Sequence, residues 1–270
     1  MSTILRRSET ASGTAYASRG DGDVVVLIHG VGMRLEAWAP QIDALAPACR
    51  VVAVDMPGHG ESRPLSSGPR LPDYVGWCIR FIEELGSGPV SLAGHSMGAM
   101  IAGGVVAEAP HLVRRVALLN GVYRREKQAR DAVIARAAEI VTGHFDREAP
   151  LRRWFGPGHE HEAAFALCRQ LLAEVDAEGY AAAYRAFAEG DGIYADRWAE
   201  CRCPALFLTG AEDLNSTPAM ARAMAGAAPH GRAVVIEGHR HMVNLTAPEA
   251  VNAALADWMS TVAPGEGGKR

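Results

Sequence analysis

Val90-Ser91-Leu92-Ala93-Gly94-His95-Ser96-Met97-Gly98-Ala99-Met100 is the stretch that decides how this chain folds. An apolar, strand-like run enters a G-x-S-x-G pentapeptide that passes directly into a small-residue helix, the sequence form of a sharp strand-to-helix turn with a serine at its tip. A hydroxyl is a poor nucleophile at neutral pH, so a reactive serine needs a base within hydrogen-bond reach and a backbone that exposes its Oγ. Gly94 and Gly98 meet the second need, because neither carries a side chain to collide with the flanking strand and helix. Ser96 is the candidate nucleophile.

Outward from that turn, strand and helix signals alternate. Continuous apolar runs at 24–28, 51–54, 90–93, 116–119, 205–208 and 233–236 read as strands of a sheet buried on both faces. Helical segments at 35–45, 71–85, 97–109, 218–227 and 248–262 lie between them. This β-α-β alternation predicts an α/β fold with a mostly parallel central sheet flanked by helices. Segments 4–8 and 14–18 around Gly13 read as an antiparallel hairpin at the sheet edge. From about 121 to 200 the strand signals stop and amphipathic helices follow one another, broken at Gly143, Pro150, Gly156-Pro157-Gly158, Gly179 and Gly190. An all-helical insertion cannot extend the sheet, so 121–200 is expected to cap a core made of 1–120 and 201–263, with 264–270 as a disordered tail.

Composition bounds the function. The 270 residues are 49% hydrophobic and 21% charged, enough for a large core, and a net charge of −4 gives no electrostatic footprint for nucleic acid or an anionic membrane. The basic pair Arg6-Arg7 is followed by no apolar run, so no secretory signal is expected. The five cysteines are scattered and odd in number, as in reduced thiols, and Cys201-Arg202-Cys203 lacks the spacing of a zinc or thioredoxin-like pair. A cytoplasmic enzyme acting on a small molecule is the expectation, with no nucleic-acid or membrane partner.

A serine nucleophile calls for an acid and a histidine later in the chain. Asp213 follows a strand and a Gly-containing loop in Leu208-Thr209-Gly210-Ala211-Glu212-Asp213, and His241 follows another in Ile236-Glu237-Gly238-His239-Arg240-His241. Loops at the carboxyl ends of parallel strands share one sheet edge, where Ser96, Asp213 and His241 can meet. Glu212 and His239 are their neighbouring alternatives. His29, His59 and His95 read better as side chains bonded to nearby backbone. An oxyanion needs backbone donors. The N–H of Met97 is one, at a helix start that favours negative charge, and Val31 in the loop His29-Gly30-Val31-Gly32-Met33 is the other, with Gly32 as runner-up.

These features together resemble the α/β-hydrolase superfamily over nearly the whole chain. The resemblance is carried by His29-Gly30-Val31-Gly32, the turn Asp55-Met56-Pro57-Gly58-His59-Gly60-Glu61-Ser62, Gly94-His95-Ser96-Met97-Gly98, Gly210-Ala211-Glu212-Asp213 and His241-Met242-Val243-Asn244-Leu245-Thr246-Ala247-Pro248. The last block is similar to the family pattern H-x-x-N-L-E-x-P with Thr246 at the acidic position, which favours His241 over His239. The resemblance implies acyl transfer to water through a Ser96, His241 and Asp213 triad, an architectural role for the Asp55 turn, and neither metal nor organic cofactor. The His-Ser-Met-Gly elbow looks most like small-molecule esterases and lactonases, so a small ester or lactone is the expected substrate. An amide or C–C bond in a carboxylate-bearing intermediate, or ligand binding without turnover, is the alternative. Arg34, Tyr123, Arg124 and Trp154 are the substrate-binding candidates, the arginines because a guanidinium grips a carboxylate bidentately; Arg125, Tyr180, Tyr184 and Trp198 are further possibilities.

Overall fold

The computed structural model describes residues 6–143, 146–158 and 162–261, so the expected tail at 264–270 lies outside the described residues, as does the start of the expected hairpin at 4–5. The strands are β1 (Arg7–Glu9), β2 (Ala15–Arg19), β3 (Val24–Ile28), β4 (Arg50–Val54), β5 (Val90–His95), β6 (Val113–Leu119), β7 (Ala205–Gly210) and β8 (Gly231–Ile236). They form one sheet in the order β1-β2-β4-β3-β5-β6-β7-β8. β1 and β2 pair antiparallel at one edge, and from β4 to β8 every pairing is parallel. This is the α/β architecture with a mostly parallel sheet that the strand and helix alternation predicts.

The helices are α1 (Ala39–Leu45), α2 (Leu71–Leu85), α3 (Met97–Glu108), α4 (Lys127–Val141), α5 (Glu148–Phe155), α6 (Ala163–Glu174), α7 (Ala177–Glu189), α8 (Pro218–Ala227), α9 (Val243–Thr246) and α10 (Pro248–Ser260). The single helix expected at 35–45 is instead a short 3-10 turn, Leu35–Trp38, followed by α1. Pro40 has no N–H to continue the first element, but its fixed φ suits the opening turn of the second.

The central strands are buried on both faces, and their side chains alternate between two cores. Val26, Ile28, Val52, Val54 and Leu92 join the core packed by α2, α3 and α8. Val25, Leu27, Val51, Ala53 and Ala93 join the other, filled by Leu35, Trp38 and Ile42 on one side and Val251, Leu255 and Trp258 of α10 on the other. α4 to α7 all fall between β6 and β7, and among the described residues none of that segment joins the sheet. No described helix is long and apolar enough to cross a membrane.

The strand order places the site. β3 pairs with β4 on one side and β5 on the other, so the connections after β3 and β5 leave in opposite directions and open a crevice at their carboxyl ends. The loop carrying Val31 follows β3, and Ser96 follows β5. Asp55, at the end of β4, braces that edge. Its carboxylate accepts the Leu35 N–H at 2.9 Å and the Glu61 N–H at 3.1 Å and receives Arg7 Nε at 2.9 Å. Ser62 Oγ donates to the Asp55 carbonyl at 2.6 Å and accepts the Ala15 N–H at 2.8 Å, tying the edge hairpin to the turn.

Helix α3 lies directly on β3. A Cβ on Gly98 would sit 2.2 Å from the Ile28 carbonyl oxygen, which is backbone and cannot swing away. Gly98→Ala is therefore expected to destabilise the fold by about 1–3 kcal/mol or more, read as a lowered urea midpoint; an unchanged midpoint would contradict this packing.

Candidate active site

Ser96 joins β5 to α3 with φ 54° and ψ −112°, a left-handed backbone that a non-glycine residue adopts only when its surroundings enforce it. They do so here. A Cβ on Gly94 would lie 2.1 Å from the Gly98 carbonyl oxygen, so the strand end and the first helical turn touch backbone to backbone and leave the serine no other path. The Ser96 N–H is held by the Leu119 carbonyl of β6 at 2.9 Å.

His241 Nδ1 donates to Asp213 Oδ2 at 2.8 Å, and both residues are buried. That bond fixes the tautomer and leaves the Nε2 lone pair as the free basic position. Asp213 has two further donors: Asn120 Nδ2 to Oδ2 at 2.7 Å and the Asn215 N–H to Oδ1 at 2.8 Å. Burial alone would raise the Asp213 carboxyl, but the charge of His241 and these hydrogen bonds outweigh it and hold the group below the ordinary 3.8. Asn120, another non-glycine residue at positive φ (50°), follows β6, and its backbone is pinned by Leu208 O at 2.7 Å and Ser216 Oγ at 2.6 Å. Sequence reasoning did not single out its contact with the acid; an Asn at a strand's carboxyl end is the signal that was there.

The neighbouring alternatives sit elsewhere. Glu212 faces Arg240 at 3.5 Å on the surface, and His239 Nδ1 bonds Thr246 Oγ1 at 3.0 Å. The other three histidines are structural. His29 accepts the Met56 N–H at Nε2 (2.9 Å) and bonds the Gly30 carbonyl through Nδ1 (2.8 Å). His95 Nε2 bonds the His241 carbonyl at 2.8 Å. Burial first, and then neighbouring His29 or His241, pushes His59 and His95 each down to about 3, so both stay neutral.

His59 also bears on the expected oxyanion donors. Its Nε2 accepts the Gly32 N–H at 3.0 Å, so that donor is already engaged. Val31 instead borders the cavity that Ser96 lines. Met97 opens α3, where an N–H has no acceptor one turn earlier within the helix.

That cavity, together with its opening to solvent, spans about 420 Å³. Ser96, His241, Val31 and Asn215 come to it from the sheet edge, and Val133, Arg136, Arg153, Trp154, Tyr180, Tyr184 and Phe187 from α4, α5 and α7. Trp154 stacks on the His241 ring at 6.0 Å and 25°, and its carbonyl accepts the His241 N–H at 3.2 Å, so α5 touches the imidazole directly.

Three of the expected substrate-binding residues are elsewhere. Arg34 is spent on Glu174 at 2.7 Å and Glu36 at 3.6 Å. Arg124 pairs with Asp196 on the surface and lies 5.2 Å over the Tyr123 ring. Tyr123 and Trp198 face a separate apolar cavity beside Met100. Arg125 is likewise occupied, buried against Asp191 at 3.5 Å. A protein carboxylate within reach captured each of these arginines, which residue type alone does not reveal. The arginines that reach the cavity, Arg136 and Arg153, were missed. The available signal was position: Arg136 lies one turn from buried Val133, on the inward side of α4. Among the described residues no group of three or more His, Cys, Asp or Glu side chains could hold a metal ion.

Comparison with known proteins agrees with this architecture. The chain is 52% identical to (E)-2-((N-methylformamido)methylene)succinate hydrolase of Acinetobacter baylyi over 91% of its own length and 94% of that protein. It is 28% identical to the pimeloyl-[acyl-carrier protein] methyl ester esterase of Stenotrophomonas maltophilia, over 93% of this chain and 98% of the relative. Among solved structures, the enol-lactonase of Burkholderia xenovorans LB400 superposes with a TM-score of 0.82 at 26% identity, covering 95% of this chain and all of that one. The model of the alpha/beta hydrolase family matches residues 25–254. With its parallel sheet, its strained serine turn and a family match that runs from β3 through β8, this chain belongs to the alpha/beta hydrolases and is an enzyme of that class.

Proposed function

We propose that this enzyme hydrolyses an acyl–nitrogen bond in a small carboxylate-bearing molecule through an acyl-enzyme on Ser96. The observation that carries the chemistry is the buried His241–Asp213 hydrogen bond of 2.8 Å on a cavity that the strained Ser96 also lines. The substrate class is supported by the Acinetobacter relative, 52% identical, whose name describes a formamide attached to a methylene succinate, with one amide and two carboxylates.

In this mechanism His241 Nε2 takes the Ser96 proton as Oγ bonds to the amide carbon. The N–H groups of Val31 and Met97 receive the negative oxygen. The C–N bond then breaks, with the proton passing from His241 to the departing nitrogen. Water, deprotonated by the same imidazole, releases the acid and restores the Ser96 hydroxyl. Asp213 stays ionised throughout and holds the imidazole tautomer, and Asn120 and Asn215 hold Asp213.

An ester or lactone is the second reading. The methyl ester esterase at 28% identity and the enol-lactonase at 26% support it, and the same acyl-transfer steps serve either bond.

With (E)-2-((N-methylformamido)methylene)succinate as substrate, Ser96→Ala is expected to lower kcat by about 10³-fold to 10⁶-fold with an unchanged circular dichroism spectrum. Formate release is the readout. Turnover by the variant at the wild-type rate would remove Ser96, and a larger kcat/KM for lactone or ester analogues would move the enzyme to the second reading.

Asp213→Asn is expected to lower kcat by about 10⁴-fold, because an amide no longer selects the working tautomer. It also alters the acid limb of stability. A carboxyl held below 3.8 in the folded state stabilises the fold fully above that pH and loses the contribution as pH falls through the folded value. Urea midpoints between neutral pH and about pH 3 should therefore fall more steeply for the wild type than for Asp213→Asn; parallel curves would contradict the depressed carboxyl.

A further inference from the structure

Arg136 on α4 and Arg153 on α5 line the same cavity as Ser96 and His241. Other arginines of α4 to α6 are paired with carboxylates: Arg130 with Asp191 at 3.1 Å, Arg152 with Asp146 at 2.6 Å, and Arg169 with Glu148 at 2.9 Å. Arg136 and Arg153 differ. Among the described residues neither has a carboxylate within ion-pair distance. Arg136 donates its Nε to the Tyr184 hydroxyl at 3.2 Å, which orients the guanidinium and leaves both Nη nitrogens for another acceptor. Tyr184 is itself stacked on Tyr180 at 5.8 Å and 24°, so the anchor is rigid.

Two part-buried guanidinium groups facing one cavity repel each other and lose hydration, a cost that calls for compensation. Burial is the main influence on Arg153 and holds it below its ordinary basicity; Arg136 pulls the same way. What relieves such a pair is an anion, and a planar guanidinium with two free nitrogens matches a carboxylate best.

Resting on the acyl-transfer reading of this cavity, we infer that Arg136 and Arg153 form a two-point receptor for the carboxylates of a dianionic substrate. Each guanidinium grips one carboxylate, and the pair sets specificity for dicarboxylates over monoacids and neutral acyl compounds. Arg153 also precedes Trp154, which stacks on His241, so the residue that grips the substrate adjoins the one that packs on the base.

The test separates binding from turnover. Isothermal titration of the full chain with malonate, succinate and glutarate should give saturable binding with at least one of them. Propionate and dimethyl succinate should bind about 10-fold to 100-fold more weakly than the best dicarboxylate. Arg136→Leu and Arg153→Leu should each weaken that dicarboxylate by a similar factor while leaving dimethyl succinate unchanged. Should either leucine variant fail to fold, Arg136→Lys and Arg153→Lys retain the charge and lose the fork, and each is expected to weaken the dicarboxylate at least several-fold. Binding that is equal for succinate and dimethyl succinate, absent for all three dicarboxylates, or unaltered in every arginine variant would overturn the receptor, even in an enzyme that hydrolyses amides. Arginine-dependent dicarboxylate binding in a protein that shows no Ser96-dependent turnover would instead uphold the receptor and refute the hydrolytic reading.

Discussion

Backbone contact between the turn after β5, the first turn of α3 and the end of β3 is the constraint on which the rest of the site depends. Gly94 faces the Gly98 carbonyl, and Gly98 faces the Ile28 carbonyl, at separations that leave no room for a Cβ on either. Ser96, between them, is held at φ 54°. A strained residue persists only when its surroundings over-determine it, and here a fully buried strand on one side and a helix buried from Met97 to Val106 on the other do so. The strain presents the serine at the crevice opened by the reversal of strand order between β4, β3 and β5. It also aligns the start of α3 beneath the same point, where an unpaired N–H and the helix dipole favour negative charge.

Around that fixed serine the loops are tied together by hydrogen bonds through neutral histidines. His29, His59 and His95 act as rigid connectors between the loops after β3, β4, β5 and β8. Keeping them uncharged lets several imidazoles crowd one buried edge, with His95 and His241 only 5.0 Å apart, without the repulsion that imidazolium rings would bring. Asp213 is treated in the opposite way. Three hydrogen bonds surround its carboxylate and keep it ionised despite burial, the state that orients the His241 tautomer. The helices between β6 and β7 then act on the site directly, since Trp154 of α5 meets the His241 ring by stacking and its backbone by a hydrogen bond.

Arginine distribution shows where sequence patterns stop being informative. Arg34, Arg124, Arg125, Arg136 and Arg153 are chemically identical, and the first three lie nearer in sequence to the oxyanion loop or to a strand end. Each of those three has a carboxylate at hand: Glu174 for Arg34, Asp196 for Arg124 and Asp191 for Arg125. Among the described residues Arg136 and Arg153 have a tyrosine hydroxyl between them and no carboxylate within ion-pair distance, and both face the cavity. Which arginine is paired within the fold and which faces the cavity depends on contacts between residues far apart in the sequence.

The sequence by itself determined the strands, their mostly parallel arrangement and the residue types at the functional edge, while the strand order came from the tertiary structure. Continuous β-branched runs can be buried only in a two-faced sheet, and Gly-His-Ser-Met-Gly with an apolar strand before it fits one local conformation. It also placed Asp213 and His241 just after strands, because residues in such loops share an edge wherever the strands are parallel. Tertiary structure alone decided that Asn120 completes the shell of Asp213, that Gly32 gives its N–H to His59, that Trp154 packs on the imidazole, and which arginines face the cavity. The physical reason is range. Strand and turn preferences are set within a few residues, whereas the contacts of Gly32 with His59 and of Asn120 with Asp213 join segments 27 and 93 residues apart and form only once the whole sheet and the helices above it have packed.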